Sequence, residues 1–397
     1  MFETFKKLPD DPILGLSVAH MNDPNPDKVD LGVGVYRDEN GITPVFQAVK
    51  EAETIKLESE LTKVYTGIQG DPVFCEEIQK LVLGADHPAI RDGRSCAVAT
   101  PGGSGALRVA AEVINSRQPG ADLWVSKPSW PNHIPLLGTA GLTIQEYPYY
   151  DDQNHNIRND QMLEQISKLG KDDILLLHAC CHNPTGADLT LEQWQEITRL
   201  ALKNGFLPFV DFAYQGLGKG LERDAEGLRH LAASVPELVI AYSCSKNFGL
   251  YRDRVGAMIL LTEQKQTTEA VWSHMKSTAR RLYSVPPAHG AIIVGMILSD
   301  PDMRQSWESE LDDMCQRTNG VRKMFSETMK NKHSSQDFSF IDSQYGMFSL
   351  LGLTKEQVQR LRDEFSVYMV SSSRINVAGI SRNNIDYLTD AILAVTQ

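Results

Sequence analysis

Lys246 stands in the run Ser243-Cys244-Ser245-Lys246-Asn247-Phe248-Gly249, with Arg254 eight residues on. Upstream lie Asp211-Phe212-Ala213-Tyr214 and Asn183-Pro184-Thr185-Gly186. A lysine that follows an apolar run is most simply a solvated charge. Beside serines and an arginine it is also placed for covalent chemistry. Desolvation and a neighbouring cation depress an amine's pKa until it can attack a carbonyl. Ser243, Ser245 and Arg254 could hold a phosphate at the same place, Arg254 with a bidentate grip. A Schiff-base lysine beside a phosphate site points to pyridoxal 5′-phosphate.

Asp211 interrupts the apolar run Leu207–Phe212. Burying an unpaired carboxylate costs roughly several kcal/mol, so it needs a partner. An arginine or a helix N-terminus would serve. So would a pyridinium nitrogen, whose protonation makes the ring an electron sink. Tyr214 is then spaced to donate to the ring's phenolic oxygen, and Asn183 is a second donor. Taken alone, Asn-Pro-Thr-Gly is simply a good turn. Gly102-Gly103-Ser104-Gly105 precedes a helix expected over Ala106–Ser116, where glycines let backbone N–H groups approach a phosphate. Many loops share that look. Ala106 occupies the fifth position of what would otherwise be a hydrolase nucleophile elbow. Trp130, between Pro128 and Pro131, is either core packing or a plate against a flat aromatic cofactor. His133 reads as a partner for Asp211 rather than a direct catalyst. Arg374, amid small residues, and Arg280 are surface arginines or planar forks for substrate carboxylates.

These residues need strands to carry them. A chain of 397 residues exceeds one ordinary core, so two domains are expected. Short apolar runs alternate with helical patterns, which indicates an α/β fold with a mostly parallel sheet covered by helices. Strands are expected over 96–100, 123–126, 174–181, 207–212, 238–243 and 256–262, and the site residues follow them, as ligands do in open α/β sheets. Thr190-Leu191-Glu192-Gln193 reads as a capping box opening a helix that ends near Gly205. Thr354-Lys355-Glu356-Gln357 is a second one, followed by a strand-like run over 367–370 that leads to Arg374. This C-terminal part forms a smaller α/β domain, which the Asp30–Tyr36 segment joins. The expected division is an arm over 1–11, a small domain over 12–44 and 314–397, and a large domain over 45–313.

Composition narrows the partners. A formal charge of −12 leaves no basic face for nucleic acid. Six cysteines show no paired-ligand spacing, so no metal site is expected, and reduced structural thiols are. Cys180 and Cys181 would point to opposite faces of a strand. The start lacks a secretory apolar run, and Ala291–Leu298 is too short to cross a bilayer. The expectation is a cytoplasmic protein without membrane contact.

In combination, Asn183-Pro-Thr-Gly, Asp211-x-Ala-Tyr214, Ser243-x-Ser-Lys246, Arg254 and Arg374 resemble the aspartate/aromatic aminotransferases of the fold type I pyridoxal phosphate enzymes. The resemblance runs from Asp11-Pro12-Ile13-Leu14-Gly15-Leu16 to Arg374 and beyond. It implies a large domain with a seven-stranded sheet plus a smaller one. It implies that Lys246 holds the cofactor covalently, Asp211 pairs with the pyridine nitrogen, and Tyr214 and Asn183 contact O3′. Gly103, Ser104, Ser243 and Arg254 would hold the phosphate, and Trp130 would stack on the ring. Arg374 would bind the substrate α-carboxylate, with Gly34, Asn183 and Trp130 beside the substrate. It further implies a homodimer in which Tyr65 and Arg280 reach the neighbour's site, at the phosphate and at a distal carboxylate. The reaction would pass an amino group from an amino acid to a 2-oxo acid, with 2-oxoglutarate as the expected acceptor.

Val64, Leu282 and Val285, with Ser104, stand where aspartate-specific relatives carry polar neighbours of the distal-carboxylate arginine. Each lost hydrogen bond matters by about 1 kcal/mol, so an apolar lining would favour an aromatic ring. Val35, Arg37 and Thr43 look closer to the aspartate type. The expectation is a dual-specificity enzyme that leans aromatic; the alternative is an aspartate aminotransferase with minor aromatic activity. Ser243-Cys244-Ser245-Lys246 also fits the Ser-x-x-Lys of a serine acyl-transferase, but the Ser-Asp-Asn and Lys-Thr-Gly elements are missing. A DNA-binding regulator on this fold needs a basic module in front, and residues 1–30 are short and acidic. Gly32-Val33-Gly34 and Gly216-Leu217-Gly218-Lys219-Gly220 lack nucleotide-loop spacing.

Overall fold

The structure, a computed structural model, describes residues 1–8 and 12–396. Residues 9–11 of the expected arm, including Asp11 where the resemblance begins, lie outside the described residues. A seven-stranded sheet forms the centre of the α/β architecture. Its strands are β1 (Ser95–Pro101), β2 (Asp122–Lys127), β3 (Thr143–Pro148), β4 (Asp173–His178), β5 (Leu207–Phe212), β6 (Leu238–Ser243) and β7 (Val255–Leu261). They lie in the order β1-β7-β6-β5-β4-β2-β3. β7 is antiparallel to both its neighbours, and the remaining pairs are parallel.

Helices cover both faces of this sheet, so its inner strands have no polar face. β6 and β7 are buried at every position and read as largely apolar runs, as strands covered on both faces do. The edge strand β3 is different: Thr143, Ile144, Gln145 and Glu146 are all at least partly exposed. Without an apolar run or a clean alternation, it carries no strand signal in the sequence.

The capping boxes form as expected. Thr190 Oγ1 accepts from the Gln193 N–H at 3.3 Å while Gln193 Oε1 accepts from the Thr190 N–H at 2.8 Å. The helix Leu191–Asn204 then stops at Gly205, whose φ of 80° only glycine adopts without penalty. Thr354 and Gln357 repeat the arrangement before Lys355–Phe365.

Two expectations around the sheet are corrected. The run after β4 is not strand as far as Cys181. β4 ends at His178, Cys181 turns to a φ of 51°, and the Cys181 and His182 N–H groups go to the Asp188 carboxylate at 2.7 and 2.8 Å. Cys180 and Cys181 are therefore buried in a turn, not on opposite faces of a strand. The helix expected from Ala106 begins at Gly102, which makes the glycines its first turn.

A third core lies apart from the two on the sheet faces. Val29 and Leu31 join residues drawn from 321–395, among them Phe325, Leu361, Ile375 and Leu388. Here Arg374–Asn376 pairs antiparallel with Phe348–Leu350. Val367–Tyr368 pairs with Val29–Asp30, a shorter strand than the sequence suggested. The helix Pro301–Asn331 serves two cores: Met303, Trp307, Leu311 and Met314 pack with the sheet, while Val321, Phe325 and Met329 pack in the third core.

Candidate active site

Parallel strands end at the same edge, so the turns after β1, β4, β5 and β6 converge. Between them lies a cavity of about 270 Å³, with Lys246 and Asp211 in its lining. Lys246 follows β6 by three residues, and its Nζ stands 4.8 Å from the centre of the Tyr214 ring. Burial, opposed by the Asp211 carboxylate and aided by Arg254, holds its ammonium down to about 8.

Asp211 is the fifth residue of β5. Its Oδ2 is 2.8 Å from His133 Nε2, the pairing expected for His133, and His133 Nδ1 faces Ser129 Oγ at 2.9 Å. Oδ1 has no partner among the described residues. Burial pushes the carboxyl up, but the hydrogen bond and charge of His133 outweigh it, and Asp211 stays below its ordinary range. His178, at the end of β4, stacks obliquely on His133 at 5.2 Å. Burial, with His133 beside it, holds His178 down to about 3, and neither of its ring nitrogens has a partner among the described residues.

At the other end of the cavity, the helix Gly102–Arg117 begins without a side-chain cap. Its first N–H groups and its dipole favour an anion there. Gly102 donates its own N–H to Arg254 O at 3.0 Å and has a φ of 71°. A Cβ at Gly102 would lie 2.5 Å from Arg254 Nη2, and one at Gly103 would lie 2.9 Å from Ser243 Cβ. Arg254 Nη1 donates to Ser245 Oγ at 3.3 Å and to Tyr251 O at 2.9 Å. Ser104 and Ser243 line the same end.

Trp130 also lines the cavity, edge-on to His133 with ring centres 5.2 Å apart. Tyr214 is buried, and that burial, with Asp211 nearby, raises its phenol above the ordinary range. Arg374 Nη2 donates to Gly32 O at 2.8 Å, and Nη1 reaches Asn183 Oδ1 at 3.5 Å. Its Nε has no partner among the described residues, and burial holds the guanidinium below its usual range. The Phe348 ring lies 4.3 Å below that guanidinium. Gly34 packs so closely on Phe348 that a Cβ there would lie 2.7 Å from Cζ.

Tyr65 and Arg280 lie elsewhere. Tyr65 is 86 % exposed, Val64 beside it 77 % and Leu282 39 %. Arg280 is exposed and contacts Ser284 Oγ. Sequence reasoning also missed residues that line the cavity: His178, Tyr251 and Phe348. The Gly216–Gly220 loop has its own internal anion, since Asp224 accepts from the N–H groups of Gly216, Gly218 and Lys219 at 2.7–2.9 Å.

A family model for class I and II aminotransferases matches residues 26–392. The aspartate aminotransferase of Escherichia coli (strain K12) is 50 % identical over 395 residues, covering 100 % of both chains. The aromatic-amino-acid aminotransferase of Pseudomonas aeruginosa is 44 % identical, covering 99 % of this chain and 98 % of that one. Among solved structures, the aromatic-amino-acid aminotransferase of Burkholderia pseudomallei, covalently bound to pyridoxal phosphate, superposes with a TM-score of 0.98 at 41 % identity, covering 100 % of both chains.

Proposed function

The chain belongs to the class I and II aminotransferases, and from that premise we propose that it uses pyridoxal 5′-phosphate to pass the amino group of an aromatic amino acid, or of aspartate, to 2-oxoglutarate. One cavity carries the reading. It gathers an amine held down to about 8, a carboxylate oxygen without a partner among the described residues, and an uncapped helix N-terminus beside an arginine. These fit the cofactor's aldehyde, its ring nitrogen and its phosphate in turn.

When bound, the cofactor supplies an electron sink and a carrier for the amino group between the two halves of the reaction. The chain's own residues do the rest. Lys246 Nζ would hold the cofactor, and its amine, held down to about 8, suits moving a proton at the substrate Cα as general base and acid. The Asp211 carboxylate would keep the ring nitrogen protonated, and His133 keeps that carboxylate ionised and oriented. Tyr214 and Asn183 would donate to the ring oxygen, and Trp130 would hold the ring, all three lining the cavity. Gly103, Ser104, Ser243 and Arg254 bind the phosphate. Arg374 grips the substrate α-carboxylate, with Gly34 lining the cavity beside it.

The site is completed by a second copy of the chain. The exposure of Tyr65, Val64, Leu282 and the apolar Phe2, Phe5 and Leu8 supports this homodimer, in which Tyr65 meets the partner's phosphate and Arg280 its distal carboxylate. The third core supports a small domain over 12–44 and 314–397 against a large one over 45–313. All six cysteines are free thiols, which supports the cytoplasm; among the described residues no helix is long and apolar enough to cross a membrane.

The aromatic lean rests on Val64, Leu282 and Val285. The second reading, an aspartate aminotransferase with minor aromatic activity, is favoured by the hydrogen bond that Ser284 offers Arg280. Steady-state kcat/KM for aspartate, tyrosine, phenylalanine and tryptophan with 2-oxoglutarate decides between them. Negligible turnover of phenylalanine and tyrosine beside aspartate sinks the lean.

A further inference from the structure

Arg322 is one of the largest side chains wholly buried in the molecule, and among the described residues it pairs with no carboxylate. Its guanidinium is spent on backbone. Nε donates to Gly346 O at 3.2 Å, and Nη2 donates to Tyr345 O, Gly346 O and Phe348 O at 3.3, 2.6 and 2.7 Å. Nη1 donates to Ser349 Oγ at 2.5 Å, and Ser349 donates in turn to Gln344 Oε1 at 2.6 Å. We propose that Arg322 is a positioning residue for substrate: by clipping the carbonyls of Tyr345, Gly346 and Phe348, it sets the spacing between Asn183 and Arg374.

The clipped segment touches both sides of that spacing. On one side, the Tyr345 N–H donates to Gly186 O at 2.8 Å, in the turn that carries Asn183. The approach is too close for side chains. A Cβ at Gly186 would lie 2.4 Å from Phe348 O, and one at Gly346 would lie 2.3 Å from Cys181 Cβ. On the other side, Phe348 pairs with Asn376 in the strand that begins at Arg374, and its ring lies 4.3 Å from the Arg374 guanidinium. The same ring fills the space beside Gly34 and meets Tyr214 edge-on at 6.2 Å.

A buried cation with no carboxylate in direct contact is costly, although Asp188 and Asp342 favour its charge from a distance, and a hydrophobic residue would fill the volume more cheaply. What it could not do is satisfy three carbonyls and a hydroxyl at once. A planar fork with five donors can, whereas a lysine offers three donors from one point. Burial holds Arg322 down to about 10, so the fork stays charged at neutral pH.

The inference rests on the reading of Arg374 as the α-carboxylate grip. The test uses the cofactor-loaded enzyme and 3-phenylpropionate, a monocarboxylate with no amine to react. Calorimetry gives its Kd, and the visible absorbance of the bound cofactor reports the ring environment. R322K is expected to keep the cofactor and its absorbance titration while binding 3-phenylpropionate about tenfold more weakly, with KM for amino acid and oxo acid rising together and kcat changing much less. Unaltered probe affinity overturns the proposal. So does a matching loss of cofactor, because that marks a general structural role. Should R322K fail to fold, S349A removes a single acceptor; a loss of about threefold is expected, and no loss overturns the proposal. An R374A enzyme that still binds the probe at parental affinity would instead sink the reading of Arg374 itself.

Discussion

His133 Nε2 meets Asp211 Oδ2 at 2.8 Å, and the opposite ring nitrogen is engaged by Ser129 at 2.9 Å. The imidazole is thus fixed at both ends, and it fixes the carboxylate. One oxygen of Asp211 is committed to protein while the other faces the cavity, so the carboxylate cannot rotate to satisfy itself elsewhere.

His133→Phe should therefore leave a buried carboxylate half-satisfied. The cost is about 1–3 kcal/mol, which corresponds to about a tenfold to hundredfold weaker hold on pyridoxal phosphate and a comparable fall in kcat. Equilibrium dialysis of the cofactor measures the first. A variant with parental affinity and turnover would remove His133 from the mechanism.

Lys246 gives a pH signature in the cofactor-free protein. Its folded pKa of about 8 lies below that of a free amine, so between about pH 8 and 10.5 the unfolded chain binds more protons and stability rises with pH. Burying the ammonium is thus most costly below pH 8 and relieved above it. Lys246→Met should be more stable than the parent by up to about 3 kcal/mol at pH 7, the gap narrowing to roughly half by pH 9.5. Urea unfolding of both apo-proteins at the two pH values reads the gap; a gap that stays constant contradicts the depressed pKa. The same variant should be inactive in transamination.

Gly102 should be intolerant of alanine for two separate reasons, its φ of 71° and the 2.5 Å approach to Arg254. Displacing Arg254 harms phosphate binding in particular. Gly102→Ala is expected to weaken pyridoxal phosphate by about tenfold or more while leaving the affinity for pyridoxal, which has no phosphate, nearly unchanged. Equal losses for the two compounds would argue against a phosphate cradle at this helix start.

Leu282 offers the specificity test. In the proposed dimer, Leu282→Asn offers Arg280 a hydrogen-bonding group, worth about 1 kcal/mol. The ratio of kcat/KM for aspartate over phenylalanine should rise by about fivefold. A ratio that stays put or falls would show that the apolar lining does not govern the choice.

Much of the site was legible because its residues sit at strand ends, and the inner strands announce themselves. Val210 and Phe212 flank Asp211 in an apolar run, so a carboxylate there had to have a purpose. Lys246 and Arg254 follow and precede strands that are buried throughout. Thr190 and Thr354 were readable because a capping box is a local bargain, settled within four residues. Phe348, by contrast, reaches Arg374, Gly34 and Tyr214 across long stretches of chain, and nothing in Met347-Phe348-Ser349-Leu350 indicates which way its ring turns. His178 looks like the end of any strand. Arg322 lies mid-helix, where a sequence reader places arginine in solvent; only the carbonyls brought to it by residues 345–348 make its burial tolerable.

The helix Pro301–Asn331 passes without a break from the sheet's core into the third one. At 1.5 Å per residue it is a rod about 45 Å long, clamped at both ends by apolar side chains. A rod resists stretching and shearing far more than it resists tilting. The distance between the two cores is thereby tied to the length of one helix. Arg322 sits past Met314 on that rod, so the Phe348 carbonyl it holds, and through the Phe348 ring Arg374, take their place from the same helix that is anchored in the sheet's core.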